Sequence, residues 1–235
     1  MVCPAVLESV LFTTAVMPPH TVHALCLSQP GDGLKVPDTA ILNVAGDITV
    51  EAWIRPRPAK DGPFNFILSK NYGGTGYALL IIGSGDNVRL QFEANDTVAY
   101  FIPMHVLTDH WWHVAGVLRS RQDISLYLNG VQVNQHPTDR AMAPSSLPLF
   151  LGTSPWNSFS GDMADVRIWN AARNQEQIVQ DMTQPPDPSE KDLVADWTFK
   201  KLSRGRSYDV THHTRPAEIQ GHPRLVGASL GRGTW

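Results

Sequence analysis

Short alternations of apolar and polar residues run through most of this chain, and they constrain the fold more than any other feature. In Ile48–Ile54 the side chains on one side of an extended chain are Ile48, Val50, Ala52 and Ile54, and those on the other are Thr49, Glu51 and Trp53. Because successive side chains of a β-strand point to opposite faces, this pattern predicts a strand with one face in an apolar core. In Met163–Trp169 we expect Ala164, Val166 and Ile168 to face inward.

A hairpin is predicted where Ile124–Leu128 meets Asn129-Gly130, since this dipeptide accepts the positive φ angles of a two-residue turn. Val131–Val133 then forms the return strand. Further strands are predicted at Val22–Leu27, Phe66–Ser69, Tyr77–Ile82, Val88–Phe92, Val98–Ile102, Trp112–Leu118, Leu147–Leu151 and Val194–Phe199. Their spacing, with Gly, Asn, Asp or Pro between them, is typical of an all-β antiparallel sandwich.

One short helix is predicted over Gln175–Met182. Asn174 can cap it, Gln177 stands at the reciprocal capping position, and Pro185-Pro186 prevents its continuation. The Pro-rich segment Gln184–Ser189 is the one candidate domain boundary, but the roughly 45 residues after it are too few for a second core without disulfides or metals. We therefore expect residues 1–235 to form a single domain, in which residues 1–21 are an N-terminal extension or an edge strand.

Charge and cysteine content narrow the function classes. The chain has 19 basic and 22 acidic residues, for a net charge of −3, and it lacks the clustered Lys and Arg that phosphate binding requires, so no nucleic-acid partner is expected. The sequence favours free thiols for its two cysteines, Cys3 and Cys26, over a disulfide between them.

The N-terminal residues set the expectation for membranes and for cellular location. The dense apolar stretch Val10–Met17 is too short to span a bilayer, so we expect no membrane span. No basic residue precedes Lys35, and Glu8 interrupts the apolar residues, which does not fit a signal peptide. A cytosolic location or leaderless export is favoured, and extracellular action stays open.

Several segments in order resemble laminin-G-like, concanavalin A-like jelly rolls. They are Ala24–Leu27, Gly31–Pro37, Ile48–Ile54, Trp112–Gly116, Leu126–Val131, Pro148–Gly152, Phe159–Asn170 and Leu193–Phe199. The resemblance covers residues 22 to about 222 and implies two packed antiparallel sheets, as in the similar pentraxins. It does not imply one chemistry, because one fold hosts many functions. The loop Thr153–Ser158, which corresponds to a calcium-binding loop of pentraxins, contains no Asp or Glu, so we expect that paired-calcium site to be absent.

The candidate ligand site consists of loops that combine aromatic rings, amides and a carboxylate. Sugar sites need this mixture, because a flat apolar ring covers the pyranose and fixed polar groups bind its hydroxyls. Matched onto the pentraxin order, the loops fall on the ligand-binding face of that family. The predicted ligand-binding residues are Lys70, Asn71, Tyr72, Asp86, Asn87, Ser154, Trp156 and Asn157.

These loops favour a non-catalytic, lectin-like protein that binds glycans or glycoproteins. The alternative is a laminin-G-type protein-interaction or adhesion domain that uses the same loops. A glycoside hydrolase is a weaker hypothesis, because the chain has six glutamates without a Glu-x-Asp-x-Glu pattern, and Glu93 and Asp96 fall on opposite faces of an extended chain. Exposed edge strands and the avidity that lectins gain from duplication also predict a homo-oligomer.

A structural calcium ion is the one cofactor that the sequence leaves open. Asp32 and Asp165 are the candidate ligands, because in this family the loop after the first strand lies near the strand that contains Asp165. In the alternative, Asp32 belongs to a turn and Asp165 pairs with Arg167 or another basic neighbour. No other cofactor is expected.

Overall fold

The computed structural model describes residues 20–71, 74–84, 87–102 and 109–230, and strands predominate in this part of the chain. One 3-10 turn spans Ala40–Leu42, and one α-helix, α1, spans Gln175–Thr183. The strands are β1 (His20–Leu27), β2 (Gly33–Val36), β3 (Ile48–Pro56), β4 (Phe64–Ser69), β5 (Tyr77–Ser84), β6 (Asn87–Ala94), β7 (Thr97–Phe101), β8 (Trp112–Arg119), β9 (Asp123–Leu128), β10 (Val131–Pro137), β11 (Leu149–Leu151), β12 (Gly161–Trp169), β13 (Leu193–Trp197), β14 (Leu202–Ser203), β15 (Arg206–Ser207), β16 (Ala217–Gln220) and β17 (Arg224–Leu230). The predicted extension falls mainly on residues 1–19, which lie outside the described residues, as does Cys3; residues 20–21 begin β1.

Two antiparallel sheets contain these strands. The first has the order β10-β9-β8-β3-β12-β1-β17, with β13 also paired to β12. We call it the helix-side sheet, because Ile178 of α1 packs on its outer face against Ala115, Val117 and Tyr127. The second, which we call the groove-side sheet, has the order β14-β15-β16-β2-β11-β4-β5-β6-β7. The predicted all-β, two-sheet jelly-roll sandwich with one short helix is thus confirmed.

The apolar core lies between the two sheets. Its thickness is limited at Gly116 of β8, where a Cβ atom would overlap the ring of Phe92 from the opposite sheet. Phe92 is fully buried, and the absence of a side chain at Gly116 lets its ring lie directly against the strand backbone. The Ile48–Ile54 alternation is confirmed here, because Val50 and Ile54 belong to this core, whereas Trp53 is buried in a second cluster that includes Met182 of α1.

The hairpin and the helix were both predicted correctly from local signals. Asn129 and Gly130 have φ angles of 51° and 76° and connect β9 to β10. At the start of α1, Asn174 Oδ1 accepts from the Gln177 amide at 2.9 Å, and Gln177 Oε1 accepts from the Asn174 amide at 2.9 Å.

The predicted facing of β12 was wrong in its first half. Asp165 has a φ angle of 46° and lies in a β-bulge, across which the pairing of β12 with β3 changes register. A bulge adds one residue to a strand and so shifts the phase of its alternation. As a result Met163 faces the core and Ala164 joins the outer cluster with Trp53, whereas Val166 faces the core as predicted.

Buried charges hold α1 and its flanking loop on the helix-side sheet. Arg167 is fully buried, and its guanidinium lies 3.5 Å from Asp196 Oδ2 and donates to the Asp181 carbonyl oxygen of α1 at 2.8 Å. Arg173 donates twice to the Asp181 carboxylate, at 2.9 and 2.7 Å, and stacks over the ring of Trp169 at 3.9 Å. Removing one partner from such a pair leaves an uncompensated buried charge, so these contacts fix one position for the helix.

Among these buried carboxyls, Asp196 has the most strongly raised pKa, and we expect its protonation to have the largest effect on stability. Burial, with smaller contributions from Asp165 and Glu51 and against the opposing effect of Arg167, raises the pKa of Asp196 to about 7. Burial and the nearby Glu51, against the opposing effects of Arg173 and Arg167, also raise the pKa of Asp181, to about 6. By contrast, His113 and Arg167 outweigh the effect of burial and hold the pKa of Glu51 below its ordinary value.

We expect Gly116→Ala to lower the free energy of unfolding by about 1–3 kcal/mol, because the added methyl group overlaps the Phe92 ring and forces the core apart. Urea unfolding monitored by tryptophan fluorescence measures this change. Gly227→Ala is the matched control, since Gly227 also lies in a strand but has no atom within 4 Å of the position of an added Cβ. Equal stabilities for the two variants would contradict the close contact between the sheets.

We expect Asp196→Asn to flatten the pH dependence of stability between about pH 4 and 7. An unfolded Asp titrates near a pKa of about 3.9, so in this range the folded protein binds the extra proton. The stability that this proton confers is present below about pH 4 and is lost as the pH rises through about 7.

Urea unfolding at pH 4.5 and pH 8 measures how far the free energy of unfolding falls with pH in the parent and in the variant. Asp139→Asn is the control, because the Asp139 side chain is 98% exposed. The assignment of the slope to Asp196 would be contradicted by a variant whose stability falls with pH as steeply as that of the parent.

Candidate functional site

A row of outward-facing side chains crosses the groove-side sheet. In register from one strand to the next, it contains Arg206, Glu218, Lys35, Phe150, Ser69, Ala78, Glu93 and Val98. Their chain neighbours Leu34, Val36, Leu149 and Leu151 belong to the core, which places the row on the opposite face of the sheet. Ionic, aromatic and hydroxyl side chains therefore share one surface.

A cavity of about 340 Å³ lies over the middle of this row. Its size is within the range of small-ligand sites, about 300–1,000 Å³. The side chains around it are mostly apolar, with a few polar groups, and are those of Lys35, Ser69, Asn71, Leu147, Pro148, Phe150, Pro155 and Trp156. Trp156 is 57% exposed, so much of its indole ring is available to a ligand.

The loop that carries Trp156 is held by a compact set of hydrogen bonds. Ser154 Oγ accepts from the backbone amides of Trp156 and Asn157, at 3.2 and 3.0 Å, and donates to the Asn157 carbonyl oxygen at 2.9 Å. The Asn157 side chain donates to the Asp61 carbonyl oxygen at 2.5 Å, and Asp61 Oδ2 accepts from the Ser158 amide at 2.9 Å. The loop is thereby fixed before any ligand binds, which lowers the entropic cost of binding.

The polar side of the cavity is also held in place. Asn71 Nδ2 donates to Glu93 Oε2 at 3.0 Å, and Gln91 Nε2 donates to the other oxygen of Glu93. These bonds fix the Asn71 amide and leave its carbonyl oxygen to accept a hydrogen bond from a ligand. Burial raises the pKa of Glu93 above its ordinary value, against the opposing effects of Gln91 and Arg89.

The structure brings some of the sequence-predicted site residues together and separates others. Asn71 and Trp156 line the same cavity, whereas Ser154 and Asn157 shape the loop below Trp156. Tyr72 and Asp86 lie outside the described residues, and Asn87 is described only as the first residue of β6.

Lys70 does not line the cavity. Its side chain is fully buried, and its Nζ lies 2.6 Å from Asp38 Oδ1 and also donates to the Leu147 carbonyl oxygen. Burial, against the opposing effect of Asp38, lowers the pKa of Lys70. We therefore place Lys70 below the site, where it supports the Leu147 wall, and outside the set of groups that contact a ligand.

Three lining residues on strands were missed by the sequence analysis, namely Lys35, Ser69 and Phe150. Ligand groups were expected in loops, whereas these residues lie within or at the end of strands. The available signal was the alternation in Gly33–Val36, where Lys35 is the polar residue between the apolar Leu34 and Val36.

The two candidate calcium ligands are each engaged by other groups. Asp32 Oδ2 accepts from the amides of Ser28 and Gln29, at 2.9 and 2.8 Å, and its Oδ1 accepts from the His222 amide at 2.8 Å. Asp165 Oδ2 lies 3.5 Å from Arg167 Nη2. These contacts favour the turn and ion-pair alternative. Within the described ranges, no group of three or more His, Cys, Asp or Glu side chains could hold a metal ion.

With the geometry established, comparisons with known proteins identify the family. Residues 28–179 match the sequence profile of the concanavalin A-like lectin/glucanases superfamily, of the laminin G type, and the chain belongs to this family. The resemblance seen in the sequence is thus confirmed.

Several individual proteins are similar to this chain. A zebrafish (Danio rerio) adhesion G-protein coupled receptor V1 is 24% identical over 180 residues, which are 71% of this chain and 3% of the receptor. A Bacteroides ovatus structure, described as a 'putative carbohydrate binding protein', superposes with a TM-score of 0.69 at 20% identity, over 90% of this chain and 61% of that one. A Limulus polyphemus pentraxin superposes with a TM-score of 0.46 at 16% identity, over 70% and 75% of the two chains. This chain therefore spans less than two thirds of the first two proteins.

The described helices were also compared with what a bilayer requires. In this part of the chain, no helix is both long and apolar enough to cross a membrane.

We expect neither EDTA nor millimolar CaCl₂ to shift the melting temperature, because the Asp32 carboxylate already accepts three backbone hydrogen bonds. Asp32→Ala should lower the free energy of unfolding by about 1–3 kcal/mol, since those amides lose their acceptor. Differential scanning calorimetry measures both effects, with the exposed Asp139→Ala as the control. A drop of several degrees with EDTA would establish a bound ion instead.

Proposed function

We propose that this protein is a non-catalytic, lectin-like carbohydrate-binding module whose ligand occupies the cavity under Trp156. The observation that carries the proposal is the position of an exposed indole ring, on a loop fixed by hydrogen bonds, over a cavity that also contains Ser69 and Asn71. An aromatic face can cover the apolar side of a pyranose ring, while the hydroxyl and the amide bind its hydroxyl groups.

The charges around the cavity support binding without catalysis. Glycoside hydrolysis needs two carboxyl groups on either side of one bond, about 5–5.5 or 6.5–9.5 Å apart. Among the described residues no carboxylate lines the cavity; Glu93 contacts the lining residue Asn71, and its two oxygens accept amide hydrogen bonds from Asn71 and Gln91. Asp96 lies beyond the end of β6 and lines a different, shallow depression with Arg121 and Arg140.

The proposed partners of the cavity under Trp156 are glycans or glycoproteins. A laminin-G-type domain that binds protein would use the same loops, and its binding would not be inhibited by free sugars.

We also propose a homo-oligomer, because β7 ends the groove-side sheet with exposed Val98 and Tyr100. Light scattering tests this, and a mass of 25.9 kDa at micromolar concentration would contradict it.

The test is a glycan array probed with the pure protein, followed by calorimetric titration of the sugars that bind. Trp156→Ala should weaken binding by about 1–3 kcal/mol, or roughly five- to 150-fold in Kd, because the ring that covers the ligand is lost. Its melting temperature should stay close to that of the parent, since an exposed loop side chain contributes little to the core.

One tyrosine variant and one tryptophan variant serve as controls. Tyr208→Ala removes an aromatic ring that is 44% exposed but does not line the cavity, and it should bind like the parent. Trp53→Ala removes a fully buried ring and should strongly destabilise the fold. The proposal fails if the parent binds no sugar on a broad array, or if Trp156→Ala binds every sugar like the parent.

A further inference from the structure

Lys35 is held in the cavity by the sheet on both sides of it. Its strand, β2, pairs with β11 through Phe150 and with β16 through Glu218, so its backbone cannot move without breaking two ladders. Its side chain is half-buried and lines the cavity together with Ser69, Asn71 and Trp156. The position of its stem is therefore set by the fold.

The Lys35 ammonium has no ion-pair partner among the described residues. Its cross-strand neighbour Glu218 is exposed, yet no carboxylate oxygen of Glu218 lies within 4.0 Å of the Lys35 Nζ atom. Glu93, at the border of the site, already accepts hydrogen bonds at both oxygens. The other ammonium in this region, that of Lys70, is paired with Asp38 below the site. Among the described residues, Lys35 is thus the one unmatched charge that lines the cavity.

The other walls of the cavity increase the effect of this charge. Phe150, Leu147, Pro148 and Pro155 present apolar surface, and an ionic contact beside apolar walls is stronger than one in open water. A ligand that places one negative charge beside the Lys35 ammonium compensates the positive charge. A neutral ligand leaves the ammonium unmatched and also removes part of the water around it.

We propose that the cavity selects sugars that carry one negative charge, and that Lys35 is the residue that determines this specificity. The charge is a carboxylate, as in uronic and sialic acids, or a sulfate ester. The inference rests on the proposed function. Trp156 covers the face of the ring, Ser69 and Asn71 bind its hydroxyls, and the Lys35 ammonium donates to the anionic group.

Matched pairs of sugars test the proposal by calorimetric titration. They are galacturonic acid and its methyl ester, 3′-sialyllactose and lactose, and monosulfated lactose and lactose. In at least one pair the acidic sugar should bind about fivefold to tenfold more tightly than the neutral one, as a single charged hydrogen bond provides. The pair that shows the difference identifies the source of the charge.

Substitutions of Lys35 then assign the preference to this residue. Lys35→Met keeps the length of the side chain and should reduce the acidic-to-neutral ratio to about one, while neutral sugars still bind. Lys35→Arg should keep the preference. Glu218→Gln should strengthen the binding of acidic sugars, because it removes the carboxylate of the cross-strand neighbour of Lys35. Lys201→Met, which removes an exposed lysine outside the cavity, should change nothing.

A measurement on the unmodified protein covers the case in which a variant does not fold. Sodium chloride at 0.5 M should weaken the binding of the acidic sugar and leave the neutral sugar unaffected, because salt screens charge–charge contacts. The inference is overturned if both members of every pair bind equally, or if Lys35→Met weakens acidic and neutral sugars alike. Those results leave the proposed function in place, whereas the absence of any sugar binding overturns both.

Discussion

The close packing of the two sheets is the constraint on which the rest of the structure depends. The Phe92 ring of one sheet lies against the backbone of the other at Gly116, where no side chain fits. Because each sheet gives one face to this core, every ionic or strongly polar side chain must lie on an outer face, at an edge or in a loop. Polar residues can therefore bind a ligand or hold neighbouring elements in place only outside the core between the sheets.

The two outer faces are used differently. On the helix-side sheet, α1 covers the outer face, and Arg167 and Arg173 tie the helix to the sheet through Asp181. Those charges are buried and matched, so they contribute to one defined position of the helix. On the groove-side sheet, the cavity under Trp156 stays open, and Lys35 lines it without an ion pair in the described part of the chain. An unmatched charge in an open cavity favours an external partner, whereas matched buried charges do not.

The fold could be predicted from the sequence because its signals are local. The Asn129-Gly130 turn and the Asn174 capping box each depend on residues within one turn of each other, and both formed as predicted. The bulge at Asp165 could not be predicted. In the sequence Asp165 looks like an ordinary outward-facing strand residue, and its positive φ angle is seen only in the folded structure. Two-residue strands such as β15 were missed for a related reason, because they form only against the strands beside them.

The candidate site could be predicted only in part. Trp156 and Asn71 stood out as loop residues of the right chemistry, and both line the cavity. Lys70 and Lys35 are the same residue type, yet one is buried against Asp38 and the other faces the cavity, and that difference depends on register and on a partner 32 residues away. A single sequence carries no signal for such a distant contact.

An NMR titration shows whether a sugar occupies the cavity under Trp156. The ¹H–¹⁵N spectrum would be followed as a sugar identified on the array is added. If the sugar binds there, we expect the largest shift changes at the Trp156 indole, the Asn71 side-chain amide and the backbone amide of Phe150. Shift changes confined to α1 or to the outer face of the helix-side sheet would contradict it.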